Sequence, residues 1–299
     1  MSFYFIEEEM GLFLNDILKK LLNKPNDPPL RDIAITWINY KKINSNLKGF
    51  GYGINNKLQI YPASIVKLVY ALGVYEWIKQ GRLIFNGEIN EAIHKMLFYS
   101  SNDATSFIVD LLTGTTSGPS LNIETWENWK YQRQIINDWL VSLNWSELNG
   151  FNCCQKTWED GPFGREKDFY GTNNENINKM STDGTAKILQ DIMKNKVYSE
   201  ENINIKNCIS RTLIKESFIN DPNNQIEGFL GEGIPESTPY WSKAGLMSKV
   251  RHDAAFWSMN NDNQTLLIVF CNSAKFAQDV KFLPKLARAI YKYTLENLS

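Results

Sequence analysis

The sequence predicts an α/β (α+β) protein of two lobes: an antiparallel five-stranded sheet flanked by terminal helices, plus an all-helical lobe. Three observations lead there. Strand-like runs lie at both ends of the chain, two near the start and three near the end. Helical patterns fill the middle. Within that middle, residues 65 to 78 are apolar on nearly every side, as in a buried helix, yet too short for a bilayer, which needs ~20 residues. The sheet lobe is expected from residues 1–62 and 236–299, the helical lobe from 63–235. A cleft between lobes is the default place for a ligand.

Met10, Leu14, Ile17, Leu18 and Leu21 form a helical stripe, so residues 7 to 23 read as an amphipathic helix ended by Pro25, Pro28 and Pro29. Ile33 to Tyr40 is rich in β-branched and aromatic residues and reads as a strand. A turn at Asn44-Ser45-Asn46 leads to a second strand carrying Phe50, Tyr52 and Ile54. Pro62 sets up the central helix and Gly81 ends it. Ile89, Ala92, Ile93, Met96 and Leu97 mark the next helix, which stops at Tyr99-Ser100-Ser101-Asn102-Asp103. Another runs to Leu112 and is closed by Gly114. Trp126, Trp129, Ile136, Leu140 and Leu143 mark a further one, with Arg133 and Trp139 beside the stripe.

Residues 146 to 180 lack periodicity, and their aromatics and glycines favour an ordered functional loop. Ser181 or Thr182 caps a helix carrying Ala186, Leu189, Ile192 and Met193. Residues 195 to 235 give no clear pattern. Tyr240–Leu246, Ala254–Met259 and Thr265–Cys271 read as strands, and Leu283, Leu286, Ala287, Ile290 and Thr294 as a terminal helix.

Composition excludes several classes. Apolar residues make up 43% and charged residues 22%, and the net charge is -1, so nothing suggests nucleic acid or an interaction arm. No apolar run is long enough to span a membrane. The start has three consecutive glutamates and no basic n-region, unlike a secretory leader. Taken as given the chain is expected in the cytoplasm; a leader lost upstream would place it in the periplasm. Cys153, Cys154, Cys208 and Cys271 show no C-x-x-C spacing, so free buried thiols are expected rather than zinc. Only two histidines are present, a poor supply for a Ser-His-Asp triad.

The chemistry starts in the central helix. Ser64 and Lys67 are three residues apart, which places both on one helix face. A buried lysine escapes the cost of desolvation by losing its proton. A neutral lysine beside a serine hydroxyl is a general base beside a nucleophile. Two further motifs follow in order: Ser100-Ser101-Asn102 is S-x-N, and Lys243-Ala244-Gly245, on a strand, is a variant of K-T-G.

With S-x-x-K, S-x-N and the K-T-G variant in this order, the sequence resembles the serine β-lactamase and penicillin-binding protein superfamily, closest to class A-type β-lactamase-like serine hydrolases. The stretch Ser100 to Thr105 is also typical of that group, and the likeness covers most of the chain. The resemblance implies a β-lactamase/transpeptidase-like fold and a serine hydrolase forming an acyl-enzyme at Ser64. It implies Lys67 as base, Ser100 as proton relay to the leaving nitrogen, and Asn102 as a contact to the substrate amide. Lys243 supplies positive charge, followed by Gly245. The backbone N–H groups of Ser64 and Leu246 form the oxyanion hole. Arg251 is a candidate carboxylate clamp. Glu166 is placed as the deacylating carboxylate, with Glu159 and Glu175 as competitors, because the expected E-x-x-L-N pattern is absent.

Ala244 departs from the usual threonine or serine. The Ser64–Ser100 segment is shorter than is usual in that family and the Ser100–Lys243 segment longer, so antibiotic specificity does not carry over. The expected substrate is a β-lactam or a related amide or ester. No cofactor or metal is expected, nor any nucleic-acid partner, and the protein should be a monomer. The rivals are an acyl-trapping protein of the penicillin-binding or D-alanyl-D-alanine peptidase kind, and a non-catalytic binding protein on the same fold.

Overall fold

A computed structural model describes residues 3–43, 46–194, 205–221, 223–260 and 262–297. The chain forms two compact units. One comprises Met1–Leu58, Thr182–Asp191 and Ile209–Ser299, the other Gln59–Ser181 and Ile192–Cys208.

The first unit holds a sheet of seven strands, not five. In chain order they are β1 (Phe5–Ile6), β2 (Ile33–Ile43), β3 (Asn46–Ile54), β4 (Ser210–Arg211), β5 (Tyr240–Met247), β6 (Val250–Asn260) and β7 (Asn263–Cys271). Across the sheet the order is β1-β3-β2-β7-β6-β5-β4. The five long strands are the five expected from the sequence, antiparallel throughout, with Trp37 opposite both Tyr52 and Leu267. The additions are two-residue edge strands, too short for periodicity to reveal: β1, parallel to β3, and β4, antiparallel to β5. The expected turn at Asn44-Ser45 lies outside the described residues.

Eight successive residues of β2 are buried, Ile33 to Tyr40, so both faces of this central strand are covered. Ile33, Ile35 and Trp37 meet Met10, Leu14 and Leu18 of α1 (Glu8–Leu21) and Leu283, Leu286 and Ile290 of α10 (Phe282–Glu296). Each such side chain contributes about 1.5–3 kcal/mol on burial. Gly11 lets α1 approach the Tyr52 ring, where a Cβ would fall 2.6 Å from ring carbon. Covering the opposite face, α7 (Thr182–Lys194) is tied to the sheet at its start. Thr36 Oγ1 donates to Thr182 Oγ1 at 3.0 Å, Asp183 N to Asn56 O at 3.0 Å, and the Tyr40 hydroxyl to Gln190 at 2.8 Å.

These bonds move the domain boundaries expected from the sequence. The start of α7 belongs with the sheet, and so do residues 209–235, whose Leu213, Ile226, Phe229, Leu230 and Ile234 enter the same core.

The second unit is helical. A 3-10 turn at Ala63–Val66 leads into α2 (Lys67–Lys79), followed by α3 (Gly87–Phe98), α4 (Asn102–Thr113) and α5 (Ile123–Ser142). Lys67 through Val74 are all buried, as the lack of a polar face requires. Side chains of Asn86, Ser101 and Asn122 cap α3, α4 and α5, and Gly114, at φ 65°, closes α4. The unpatterned stretch 146–180 contains a 3-10 turn (Ser146–Leu148) and one short α-helix, α6 (Gly164–Tyr170), and is held by side chains as well as by isolated bridges such as Asn152–Lys179. Asn178 Oδ1 accepts the N–H groups of Cys154 and Gln155, while its Nδ2 donates to Gln155 O. One amide thus does the work of a strand partner, so no hydrophobic period is needed. A four-residue helix, α8 (Ile205–Cys208), and α9 (Ala274–Gln278) of the sheet unit complete the elements.

Candidate active site

Ser64 lies in the 3-10 turn and Lys67 opens α2, one turn later. In a 3-10 turn side chains three apart eclipse, so both face the same way. Ala63, just before Ser64, holds φ 46°, a left-handed conformation costing ~1–2 kcal/mol for a non-glycine residue. Ser100 shares this conformation, at φ 60°. It sits one residue before Ser101, whose side chain caps α4.

Lys67 is fully buried. Its Nζ donates to Ser100 O at 2.5 Å, Asn102 Oδ1 at 2.8 Å, Ser100 Oγ at 3.2 Å and Ser101 O at 3.5 Å. Among the described residues Ser64 is not one of its acceptors. Burial lowers the Lys67 pKa from 10.5 to about 7, against the opposing pull of the Glu159 carboxylate.

Asn102 bridges the lysine and that carboxylate. Its Oδ1 accepts from Lys67 and from Thr157 Oγ1 (2.7 Å), and its Nδ2 donates to Glu159 Oε1 at 2.9 Å. Both ends of the amide expected to meet substrate are therefore occupied by protein. Glu159 is exposed, on the loop after Trp158.

Glu166 is the deacylating carboxylate expected from the sequence. It is fully buried on α6 and forms a two-pronged pair with Arg133 of α5, at 2.6 and 2.9 Å. Ser117 Oγ donates to it at 2.8 Å, and Lys156 Nζ lies 3.7 Å away. The Arg133 guanidinium also lies over the Trp129 ring at 4.4 Å. The sequence carried a signal for this pair, since Arg133 sits beside the apolar stripe of α5 and a buried arginine requires an acid. Glu175, the other competitor, is exposed and accepts from Asn173.

On the sheet unit, Lys243 and Gly245 are buried in β5 and Leu246 is half-exposed. Lys243 Nζ donates to Gln225 Oε1 at 2.7 Å and to Ala244 O at 2.8 Å. Ser242 N donates outward to Ile209 O and Ala244 N outward to Gln225 Oε1. The period of two along a strand turns the Leu246 N–H to the same outer edge.

Arg251, the expected carboxylate clamp, is buried in β6. Its guanidinium donates to Ala277 O at 3.0 and 3.1 Å and to Gly228 O at 3.2 Å, and it stacks on Phe229 at 4.9 Å. Those carbonyls, one of them at the end of α9, use its forked donors structurally. Also in β6, Asp253 is fully buried, and burial raises its carboxyl from 3.8 to about 7. Its Oδ2 accepts from Leu230 N and from the Tyr240 hydroxyl, while Oδ1 has no hydrogen-bond partner among the described residues. His252 Nδ1 accepts from Cys271 N, and all four cysteines are buried. Among the described residues no helix is long and apolar enough to cross a membrane, and no group of three side chains is placed to hold a metal.

A family model described as the beta-lactamase enzyme family matches residues 86–294. The chain belongs to that family. The matched span opens after Ser64 and Lys67, so that pair rests on motif and geometry. No curated protein matches the chain by sequence. Solved structures of members and relatives share its fold along nearly the whole length. A beta-lactamase from Sphaerobacter thermophilus is 13% identical, with a TM-score of 0.60 over 95% of this chain and 98% of that one. A mutant of PBP-A, solved as an acyl-enzyme complex with penicillin G, is 12% identical, with a TM-score of 0.61 over 96% and 97%. A beta-lactamase from Chitinophaga pinensis is 13% identical, with a TM-score of 0.59 over 94% and 98%. At these identities the likeness establishes the β-lactamase/transpeptidase-like fold, a mostly antiparallel sheet with a helical region.

Proposed function

We propose that this family member is a serine hydrolase that opens a β-lactam or a related amide or ester through an acyl-enzyme at Ser64. The observation that carries the reading is Lys67, a fully buried lysine whose pKa lies at about 7. At neutral pH about half of it is the free amine, against about one part in three thousand for an ordinary lysine. Ser64 Oγ attacks the substrate carbonyl carbon while its proton passes to Lys67 Nζ. The N–H of Ser64, at the start of a helical turn, supports the developing oxyanion. Ser100, hydrogen-bonded to Lys67, passes the proton to the leaving nitrogen or oxygen as the scissile bond breaks.

Deacylation is assigned to Glu159 rather than Glu166. Its carboxylate takes a proton from water, the water oxygen bonds to the acyl carbon, and the ester bond to Ser64 breaks as Ser64 recovers a proton. Support comes from the Asn102 bridge, which ties Glu159 to the same lysine. Lys243 is assigned to a substrate carboxylate, and the Leu246 N–H to a carbonyl oxygen, each on its motif.

Intact-mass spectrometry after exposure to a chromogenic β-lactam and to a fluorophosphonate tests the reading. A Ser64 adduct that decays with turnover is expected. A stable stoichiometric adduct identifies an acyl-trapping protein instead. No adduct, or an adduct that survives Ser64→Ala, refutes the proposal.

A further inference from the structure

We propose that a cavity on the helical unit, floored by Trp126 and rimmed by Lys167 and Asp168, binds a neutral pyranose sugar. The inference uses neither Ser64 nor Lys67 and goes beyond the hydrolase reading above.

The cavity measures about 620 Å³ and is lined by Leu121, Trp126, Lys167, Asp168, Gly171 and Thr172. Small-molecule sites usually span ~300–1,000 Å³. The floor is the end of a column of stacked groups. Glu166 holds the Arg133 guanidinium through two hydrogen bonds, and that guanidinium lies over the Trp129 ring at 4.4 Å. Trp129 in turn stacks on Trp126, with 5.6 Å between centroids and 11° between planes. Phe169 meets both indoles edge-on, at 82° and 81°. Trp129 and Phe169 are buried and Trp126 is half-buried, so the column fixes a ring that ends in the cavity. One short helix serves both column and rim. α6 buries Glu166 and Phe169 and leaves Lys167 and Asp168 exposed. The wall that follows is tightly turned. Gly171, at φ 81°, has no room for a Cβ against the Glu175 carboxylate, which itself accepts from Asn173 N.

The lining selects the chemistry of the ligand. Lys167 and Asp168 carry opposite charges, so an anion is opposed by Asp168 and a cation by Lys167. Among the described residues the head groups of Lys167, Asp168 and Thr172 and the Trp126 indole N–H make no hydrogen bond or ion pair. They offer donors from the lysine, the indole and the hydroxyl, and acceptors from the carboxylate and the hydroxyl. A hydrocarbon ligand would cover these groups without pairing them, at a cost. A pyranose suits both halves of the cavity. Each of its hydroxyls donates and accepts, and its C–H face lies on an aromatic ring, whose negative face attracts those hydrogens. Lys130 Nζ stands 5.7 Å over the Trp126 ring and pairs with Glu127 at the surface, so it is free to step aside or to reach a sugar hydroxyl.

Saturation-transfer NMR on the full chain with cellobiose, lactose and diacetylchitobiose tests the proposal and needs no turnover. At least one of the three should bind, with the strongest saturation at its ring C–H protons. The same sugar should shift the Trp126 indole N–H signal, identified by its loss in Trp126→Ala. Trp126→Ala should weaken binding about tenfold. Asp168→Ala should weaken it about fivefold, the worth of one hydrogen bond. Should Trp126→Ala not fold, Lys167→Ala, at an exposed position, carries the same expectation of about fivefold. Phenyl phosphate and benzylamine probe the charged alternatives. Binding of none of the three sugars, undiminished binding by the variants, or tighter binding of either charged probe overturns the proposal. Failure of Ser64 to acylate overturns the hydrolase reading and leaves this site untouched.

Discussion

Replacing Lys67 by methionine separates the chemistry of this lysine from its packing. Burial lowers its pKa from 10.5 to about 7. The unfolded chain therefore binds this proton more tightly than the folded one. The folded state carries a penalty that is complete below about pH 7 and fades as pH rises toward 10.5. At ~1.36 kcal/mol for each tenfold change in proton affinity the penalty totals about 5 kcal/mol. About 3 kcal/mol of it is relieved between about pH 7 and about pH 9.5. Methionine has no proton to lose, so in urea denaturation the parent should gain about 3 kcal/mol on Lys67→Met over that range. The gap at a single pH is less informative, because methionine takes the lysine donor away from Ser100 O and leaves Asn102 Oδ1 with Thr157 alone, at ~1–3 kcal/mol for a stranded acceptor and independent of pH. The same variant should lose ~10²–10⁴ in the rate of Ser64 labelling. A stability gap that stays flat across the range would mean that Lys67 keeps its proton in the fold, and the general-base argument would collapse with it.

Further expectations follow from other buried charges. Glu159→Gln should acylate and then accumulate the acyl-enzyme, whereas Glu166→Gln should turn over like the parent but unfold about 3–5 kcal/mol sooner, because it strands the buried Arg133. The reverse pattern in a stopped-flow and denaturation comparison would return the deacylating role to Glu166. Asp253 behaves oppositely to Lys67: its pKa is raised from 3.8 to about 7, so stability present below 3.8 is lost as pH rises through about 7. Asp253→Asn should therefore gain a few kcal/mol on the parent between about pH 4 and about pH 8, and equal slopes in a melting series would refute this. Arg251→Met should lower the melting temperature while leaving KM for carboxylate-bearing and carboxylate-free substrates in the same ratio, since its donors serve Ala277 and Gly228. A selective rise in KM for the carboxylate-bearing substrate would reinstate it as a clamp.

What could be read from the sequence follows the range of the forces involved. The α2 helix was legible because burial on every side leaves no polar residue from Leu68 to Val74. The five long strands were legible because both faces of β2 and β7 are covered, giving unbroken apolar runs. The Ser64–Lys67 spacing is local and needed only helical geometry. The pairing of Glu166 was hard to read because Arg133 is 33 residues away on another helix, and loop position alone cannot tell a solvated acid from a paired one. The contacts of Arg251 were hidden likewise, its acceptors being backbone carbonyls that no side-chain pattern reports. Gln225 carried no signal at all, since its partners are a strand amide and a lysine nearly twenty residues on. The short edge strands and the boundary at Thr182 depend on individual hydrogen bonds rather than on patterning.

Three consecutive residues, Ser100, Ser101 and Asn102, supply all four oxygens around the Lys67 nitrogen. An ammonium has three N–H bonds to share among them and a free amine has two, plus a lone pair that repels oxygen. Losing the proton therefore changes the coordination number of the turn as well as the charge of the lysine. One of the four oxygens must be let go, and the long contacts, Ser101 O at 3.5 Å and Ser100 Oγ at 3.2 Å, are the weakest held. The event that makes Lys67 a base thus lets the Ser100 hydroxyl turn from accepting an N–H to donating its O–H to the new lone pair, so that proton inventory and side-chain rotation run on a single clock.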